Sequence, residues 1–201
     1  MHFRLMVLGV LVLAGTAHAQ SFGPATYALR DTWTFSDGRT IQVAKVEENG
    51  VQMAGILRTC PDCIYHYDKN LTVLNVTHPD GKPIDLTQHG FIPLGGEWKF
   101  YDFPLEAKKT WRITPQGWFR GTPIKYTIDI NVLAYEDVKT KAGTFKAFKI
   151  HRAWTVHGRS GDSRWTDETW FSPDVKFLVR FTTTSSAPGI QNFELVSYTV
   201  K

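Results

Sequence analysis

The sharpest chemistry in this chain is offered by Cys60-Pro61-Asp62-Cys63, with His66 three positions further on. Two cysteines at this spacing form thioredoxin-like redox centres where they open a helix, because the helix dipole lowers a thiol pKa. Here Ile64-Tyr65-His66-Tyr67 follows, a run that reads as extended chain. Haem attachment needs His directly after the second cysteine, and Ile64 stands there. A metal site could use Cys60, Cys63 and His66 as soft ligands, with His78 or His89 as a fourth that no spacing rule supports. The reading these residues favour is a Cys60–Cys63 disulfide that shapes a loop between two strands, since an exported chain with two cysteines tends to pair them. So short a loop adds little through chain entropy.

Other catalytic sets are weak. His157-Gly158-Arg159-Ser160-Gly161-Asp162-Ser163 holds His, Asp and Ser, but nearness in sequence is not triad geometry, and a polar hairpin loop accounts for it. Asp167 and Glu168 are neighbours on a strand and so face opposite ways, which keeps them from converging on one bond. The chain has no Gly-rich phosphate loop and no metalloprotease His pair. No catalytic residue and no cofactor is therefore expected. The aromatic residues are the remaining clue: of seven Trp, Trp33, Trp111 and Trp170 suit a core. Trp98, Trp118 with Phe119, and Trp165 fall on or beside expected loops, where they are candidates for contact with a ligand or partner.

The elements that must position these residues are strands. Ile124, Tyr126, Ile128, Ile130, Val132 and Ala134 alternate with polar residues, and Val175, Phe177, Val179 and Phe181 do the same. Shorter alternations cover 40–46, 51–58, 71–77, 144–150 and 193–200, separated by turn signals such as Asn49-Gly50 and Asp80-Gly81. The pattern predicts about ten to thirteen short strands in one antiparallel all-β domain over residues 20–201. Edge strands need covering, so a strongly curved sheet, half-barrel or barrel is expected over a flat one.

Residues 1–19 read as a secretory signal peptide: Arg4, an apolar run from Leu5 to Gly15, then Ala17-His18-Ala19. The eleven apolar residues would rise only about 16 Å as a helix, against a bilayer core of roughly 30 Å. No later apolar run is long enough for a span, so the mature chain should be soluble, in the periplasm or outside the cell. The 201 residues are 42% hydrophobic and 21% charged, which excludes a disordered chain. The net charge of +4 is spread thinly, without the clustered basic face that nucleic-acid binding requires.

Three phrases carry a likeness to a known family. They are Phe103-Pro104-Leu105-Glu106-Ala107-Lys108-Lys109-Thr110-Trp111, Ala142-Gly143-Thr144-Phe145 leading into Lys146–Ile150, and Thr169-Trp170-Phe171-Ser172-Pro173-Asp174 leading into Val175–Val179. Over residues 100–200 the chain resembles the TapB-like family of secreted bacterial β proteins of unknown function. It departs at Lys108, where related sequences have Gly. The resemblance implies a curved antiparallel sheet wrapped like a half-barrel, and brings no catalytic residues. Together these readings predict an exported, non-enzymatic β protein that binds an apolar molecule or lipid, or serves cell-envelope assembly. The alternatives are a module that docks an envelope protein through a sheet edge or aromatic loop, and an enzyme whose residues meet only in three dimensions.

Overall fold

The computed structural model describes residues 20–201 except 57, 59, 85–90, 94–97, 120–121, 159–160 and 187–189, and except the side chains of 91–93 and 118–119. The expected leader, residues 1–19, lies outside the described residues. The chain is all-β, with no helix among the described residues. A short strand β1 (Ser21–Phe22) is followed by a meander of β2 (Thr32–Phe35), β3 (Thr40–Glu47), β4 (Gly50–Ala54), β5 (Ile64–Asp68) and β6 (Val73–Thr77). Then come β7 (Phe91–Pro93), β8 (Leu105–Glu106), β9 (Thr110–Ile113) and β10 (Gln116–Phe119). The second half is built from the long strands β11 (Thr122–Thr140), β12 (Gly143–Gly158) and β13 (Gly161–Ser172), with β14 (Phe177–Thr183) and β15 (Phe193–Thr199). These fifteen exceed the ten to thirteen expected, partly because the two-residue strands β1 and β8 are too short to alternate.

The main sheet has thirteen strands in the order β6-β5-β4-β3-β2-β15-β14-β13-β12-β11-β10-β7, with β9 also on β11, and β1 pairs with β8 apart from it. All pairings are antiparallel. Two meanders are joined where the last strand, β15, lies beside β2, the first strand of the main sheet in sequence. The sheet curls until its ends approach: an isolated bridge links Val73 of β6 to Trp98, just beyond β7. No continuous ladder closes it among the described residues, so it is a curved sheet and not a full barrel.

Alternation explains which face is inward. Tyr126, Ile128, Ile130 and Val132 of β11 are buried, as are Trp33 and Phe35 of β2, Ile41 and Val43 of β3, and Val51 and Met53 of β4. Curvature comes from bulges, each of which adds a residue to one strand and bends it. One lies in β11 between Val132 and Ala134, pushing Leu133 outward to half exposure; another lies in β14, where Val179 is the extra residue opposite Trp170 and Phe171 of β13. Beyond Leu133 burial in the β11–β12 hairpin switches to the other face: Val138, Thr140, Phe145 and Ala147 are buried, while Asp137, Lys139, Thr144 and Lys146 are exposed. Tyr135 packs tilted against Phe148 at 4.6 Å, while Phe145, three residues away and so on the opposite face, meets Tyr198 of β15 at 5.7 Å.

The two meanders are tied through the turn after β13. Trp33 Nε1 donates to the Val175 carbonyl at 2.8 Å, and the Tyr27 hydroxyl donates to the Lys176 carbonyl at 2.7 Å. Asp31 is buried and accepts from the backbone N–H of Ala28 and of Lys201. Gly55, after β4, sits at φ +81, and a Cβ there would lie 2.0 Å from the Thr40 carbonyl oxygen, so no other residue fits. Lys108 has φ +73, the left-handed region glycine favours. The turn is held there by the Lys108 N–H, which donates to the Val132 carbonyl at 2.7 Å.

Candidate functional site

Inside the curve, between the two meanders, lies a cleft of about 270 Å³. Its walls are apolar: Ile41, Leu71, Phe100, Phe177, Phe181 and Phe193 come from both halves of the sheet. Leu71 reaches the cleft from a left-handed turn (φ +58), held by Asp68, whose Oδ1 accepts from the N–H of Asn70 and Thr72. A bulky residue in that region is strained, a condition that clusters at ligand sites.

The deepest polar residues of the cleft are Arg152, Tyr101 and Thr169, exposed by 9%, 7% and 2%. Arg152 on β12 lies directly opposite Asp167 on β13. Its Nε donates to Asp167 Oδ1 at 2.6 Å, and Trp154 Nε1 donates to Oδ2 at 2.7 Å. The guanidinium lies 4.9 Å from the Phe100 ring centre, a cation–π contact. The terminal nitrogens of Arg152 have no acceptor among the described residues. Thr169 Oγ1 is buried without a hydrogen-bond partner. The hydroxyls of Tyr67 and Tyr101 likewise have none among the described residues. At the rim, Arg39 is held by Asp37 at 2.7 Å and by the Ile56 carbonyl at 2.8 Å, with the Phe193 ring 4.2 Å away. Burial lowers the Arg39 pKa, and Asp37 works against that fall. Arg58 is exposed beside them.

Burial sets the protonation of the tyrosines. It pushes Tyr101 up to about 12, with Arg152 pulling down and Asp167 pushing up, and it takes Tyr126 to about 12 as well. Tyr27, Tyr65 and Tyr67 are raised for the same reason. Unfolded tyrosine titrates near 10. A group whose folded pKa exceeds its unfolded one stabilises fully below pH ~10 and loses that contribution as pH climbs toward 12. The unfolding free energy should therefore not fall between pH 8 and 9.5 on account of these residues. Above pH ~10 each should remove about 1.4 kcal/mol per pH unit. Urea unfolding followed across that range, with tyrosinate absorbance recorded in parallel, checks this. Tyrosinate formation that precedes any loss of stability would contradict it.

The residues singled out in the sequence are dispersed. Cys60 and Cys63 form a disulfide with Cα atoms 5.4 Å apart, between β4 and β5 as expected. Their sulfurs are thus unavailable to a metal, and His66 Nε2 shares a hydrogen bond with Thr77 Oγ1 at 3.0 Å. Trp98 is fully buried, with Nε1 donating to the Gln116 carbonyl at 2.9 Å. The segment holding Trp118 and Phe119 is not a loop but strand β10, because Gln116–Phe119 finds ladder partners in both β11 and β7; their side chains lie outside the described residues. Trp165 is half-buried and stacks on Trp154 at 5.4 Å and 13°, which places it behind the Arg152–Asp167 pair.

One triad-like chain does form, with a different hydroxyl from the one in the sequence motif. His157 Nδ1 meets Asp162 Oδ1 at 3.2 Å, and its Nε2 meets Thr127 Oγ1 at 2.9 Å. Ser163 alternates to the other face from Asp162. The Thr127–His157–Asp162 chain lies on the outer face of β11, β12 and β13, with the cleft on the inner face of the same sheet. The cleft residues Arg152, Tyr101 and Thr169 were missed in the sequence. Arg152 left one signal: it shares the inward phase with Phe148, Ile150 and Trp154.

The fold that surrounds this cleft has solved counterparts. The hypothetical lipoprotein YmcC from Escherichia coli (K12) is similar at a TM-score of 0.50 and 7% identity, over 90% of each chain. A candidate lipoprotein from Parabacteroides distasonis gives 0.48 and 13%, and a candidate exported protein with a YmcC-like fold from Bacteroides fragilis gives 0.46 and 13%; each covers 90% of this chain and 100% of its own. At 7% identity the likeness to YmcC is one of backbone path and assigns no site residue. No protein-family profile and no curated protein sequence matches the chain.

Proposed function

We propose that this is an exported binding protein, non-enzymatic, that holds a small amphipathic molecule in the cleft between its two meanders. The observation that carries this is the cleft's composition: aromatic and aliphatic walls around a floor of hydroxyls and terminal guanidinium N–H groups that have no partner among the described residues. Ligand sites pair a mostly apolar lining with a few convergent polar groups, and a buried donor left unmatched is costly unless something bound satisfies it. Among the described residues lining the cleft none is His, Cys, Ser or Glu, and its carboxylate, Asp37, is held by Arg39. Such a lining suits holding a molecule over transforming one. A volume of about 270 Å³ lies just below the usual range for drug-sized ligands, so a two-chain lipid is too large. Export is read from residues 1–19.

Native mass spectrometry of the mature protein, isolated from the envelope of its host without detergent, tests this. The expected result is a 1:1 adduct that solvent extraction removes. A bare chain that also fails to bind any apolar fluorescent probe in the cleft overturns the proposal.

A further inference from the structure

We propose that the cleft recognises a carboxylate, seated on Arg152, Tyr101 and Thr169, that carries one apolar chain directed toward the rim. This rests on the cleft being a binding site, and adds which chemistry it selects and which end enters first.

Donors face the cleft floor, and the matching acceptor on the same face is already engaged. Asp167 uses one oxygen on Arg152 Nε and the other on Trp154 Nε1, and it does not line the cleft. What the cleft meets of this ion pair is therefore its cationic end, with terminal N–H groups that have no acceptor among the described residues. Thr169 is two residues from Asp167 on β13, hence on the same face about 7 Å along the strand. Its hydroxyl is buried and unpartnered. The Tyr101 hydroxyl feels the charges of both Arg152 and Asp167, and stays protonated and able to donate. A neutral hydroxyl ligand would offer this floor one oxygen. A carboxylate offers two, in the planar spacing that matches guanidinium nitrogens, with lone pairs left for both hydroxyls. The rest of the cleft is apolar. At ~30 Å³ per water-sized group, 270 Å³ holds roughly nine heavy atoms, enough for a single medium-length chain and its head.

Titration calorimetry of the delipidated mature protein with octanoate and with octanol, at pH 7.5, separates the possibilities. Octanoate should bind about tenfold or more tightly than octanol, as charge-assisted hydrogen bonds to a buried head require. Tyr101→Phe and Thr169→Val should each weaken octanoate binding more than octanol binding, reducing that preference about fivefold. Thr169→Val also serves as a folding control: the hydroxyl it removes has no partner, so its melting temperature should not fall. Equal binding of octanoate and octanol overturns the carboxylate assignment and leaves the binding function standing. A preference for octanoate that both variants keep, but Arg58→Ala removes, places the anion at the rim and also overturns it. Binding of neither ligand defeats both proposals.

Discussion

Asp167→Ala should lower the unfolding free energy by about 3–5 kcal/mol, the usual result of stranding one partner of a buried ion pair. The side chains of Arg152 and Asp167 are only 11% and 4% exposed, so the guanidinium left behind would have little water to take the carboxylate's place. Trp154 would lose its acceptor in the same step. The pair itself contributes little net stability, because desolvating two charges offsets most of their attraction. The double variant Arg152→Met/Asp167→Asn should therefore recover more than half of the loss, since it removes the stranded charge and keeps a carbonyl for Trp154. Urea unfolding at pH 7 of the two variants beside the parent decides this. A double variant no more stable than Asp167→Ala would show that the loss arises from something other than the unpaired cation.

Trp98→Ala should cost about 3–5 kcal/mol, as emptying a full aromatic site does. Trp98 has none of its surface exposed and packs against Phe100 at 5.7 Å and Tyr126 at 5.3 Å. It also bridges to Val73, the contact that brings the two ends of the sheet together. The damage should therefore be greatest at those ends: amide exchange should accelerate in β6 and β10 well before it does in β2 or β15. A contact role predicts the opposite, unchanged stability with lost binding. Equal acceleration throughout the sheet would mean that Trp98 is an ordinary core residue with no particular part in its closure.

Much of the fold was legible because half-buried strands write their two faces into the sequence. Ile124 to Ala134 announced β11, and Val175 to Phe181 announced β14. Legibility failed where that condition fails. Past Leu133 the buried face of the β11–β12 hairpin switches, so Tyr135 and Phe148 fall out of phase with Val138 and Phe145 and no single period runs through them. Gln116–Phe119 looked like a loop because Pro115, Gly117 and Gly121 surround it, yet pairing on both edges makes it a strand. The disulfide was readable from cysteine count and export. The cleft was not, since Tyr101 precedes β8, Arg152 is on β12 and Thr169 on β13; only the curl of the sheet brings them together. Asp167 was judged as half of an Asp167–Glu168 pair, and the alternation that separates the two was read correctly. Its true partner sits across the ladder, at a register that sequence alone does not supply.

The place of β15 has a consequence in time. Ser36 N–H donates to the Glu194 carbonyl, and the Glu194 N–H donates to Ser36 Oγ, across 158 positions of sequence. A chain delivered from its N-terminus releases β2 with one edge unpaired, and the strand that covers that edge is among the last to arrive. At synthesis rates of 5–20 residues per second the delay is roughly 8–30 s. Through that interval the first meander presents an open ladder edge, the feature most prone to pairing with a stranger. Delivery in the unfolded state, with folding begun only when the whole chain is free, removes the hazard. An architecture joined by its last strand is thus suited to a protein that crosses a membrane before it folds.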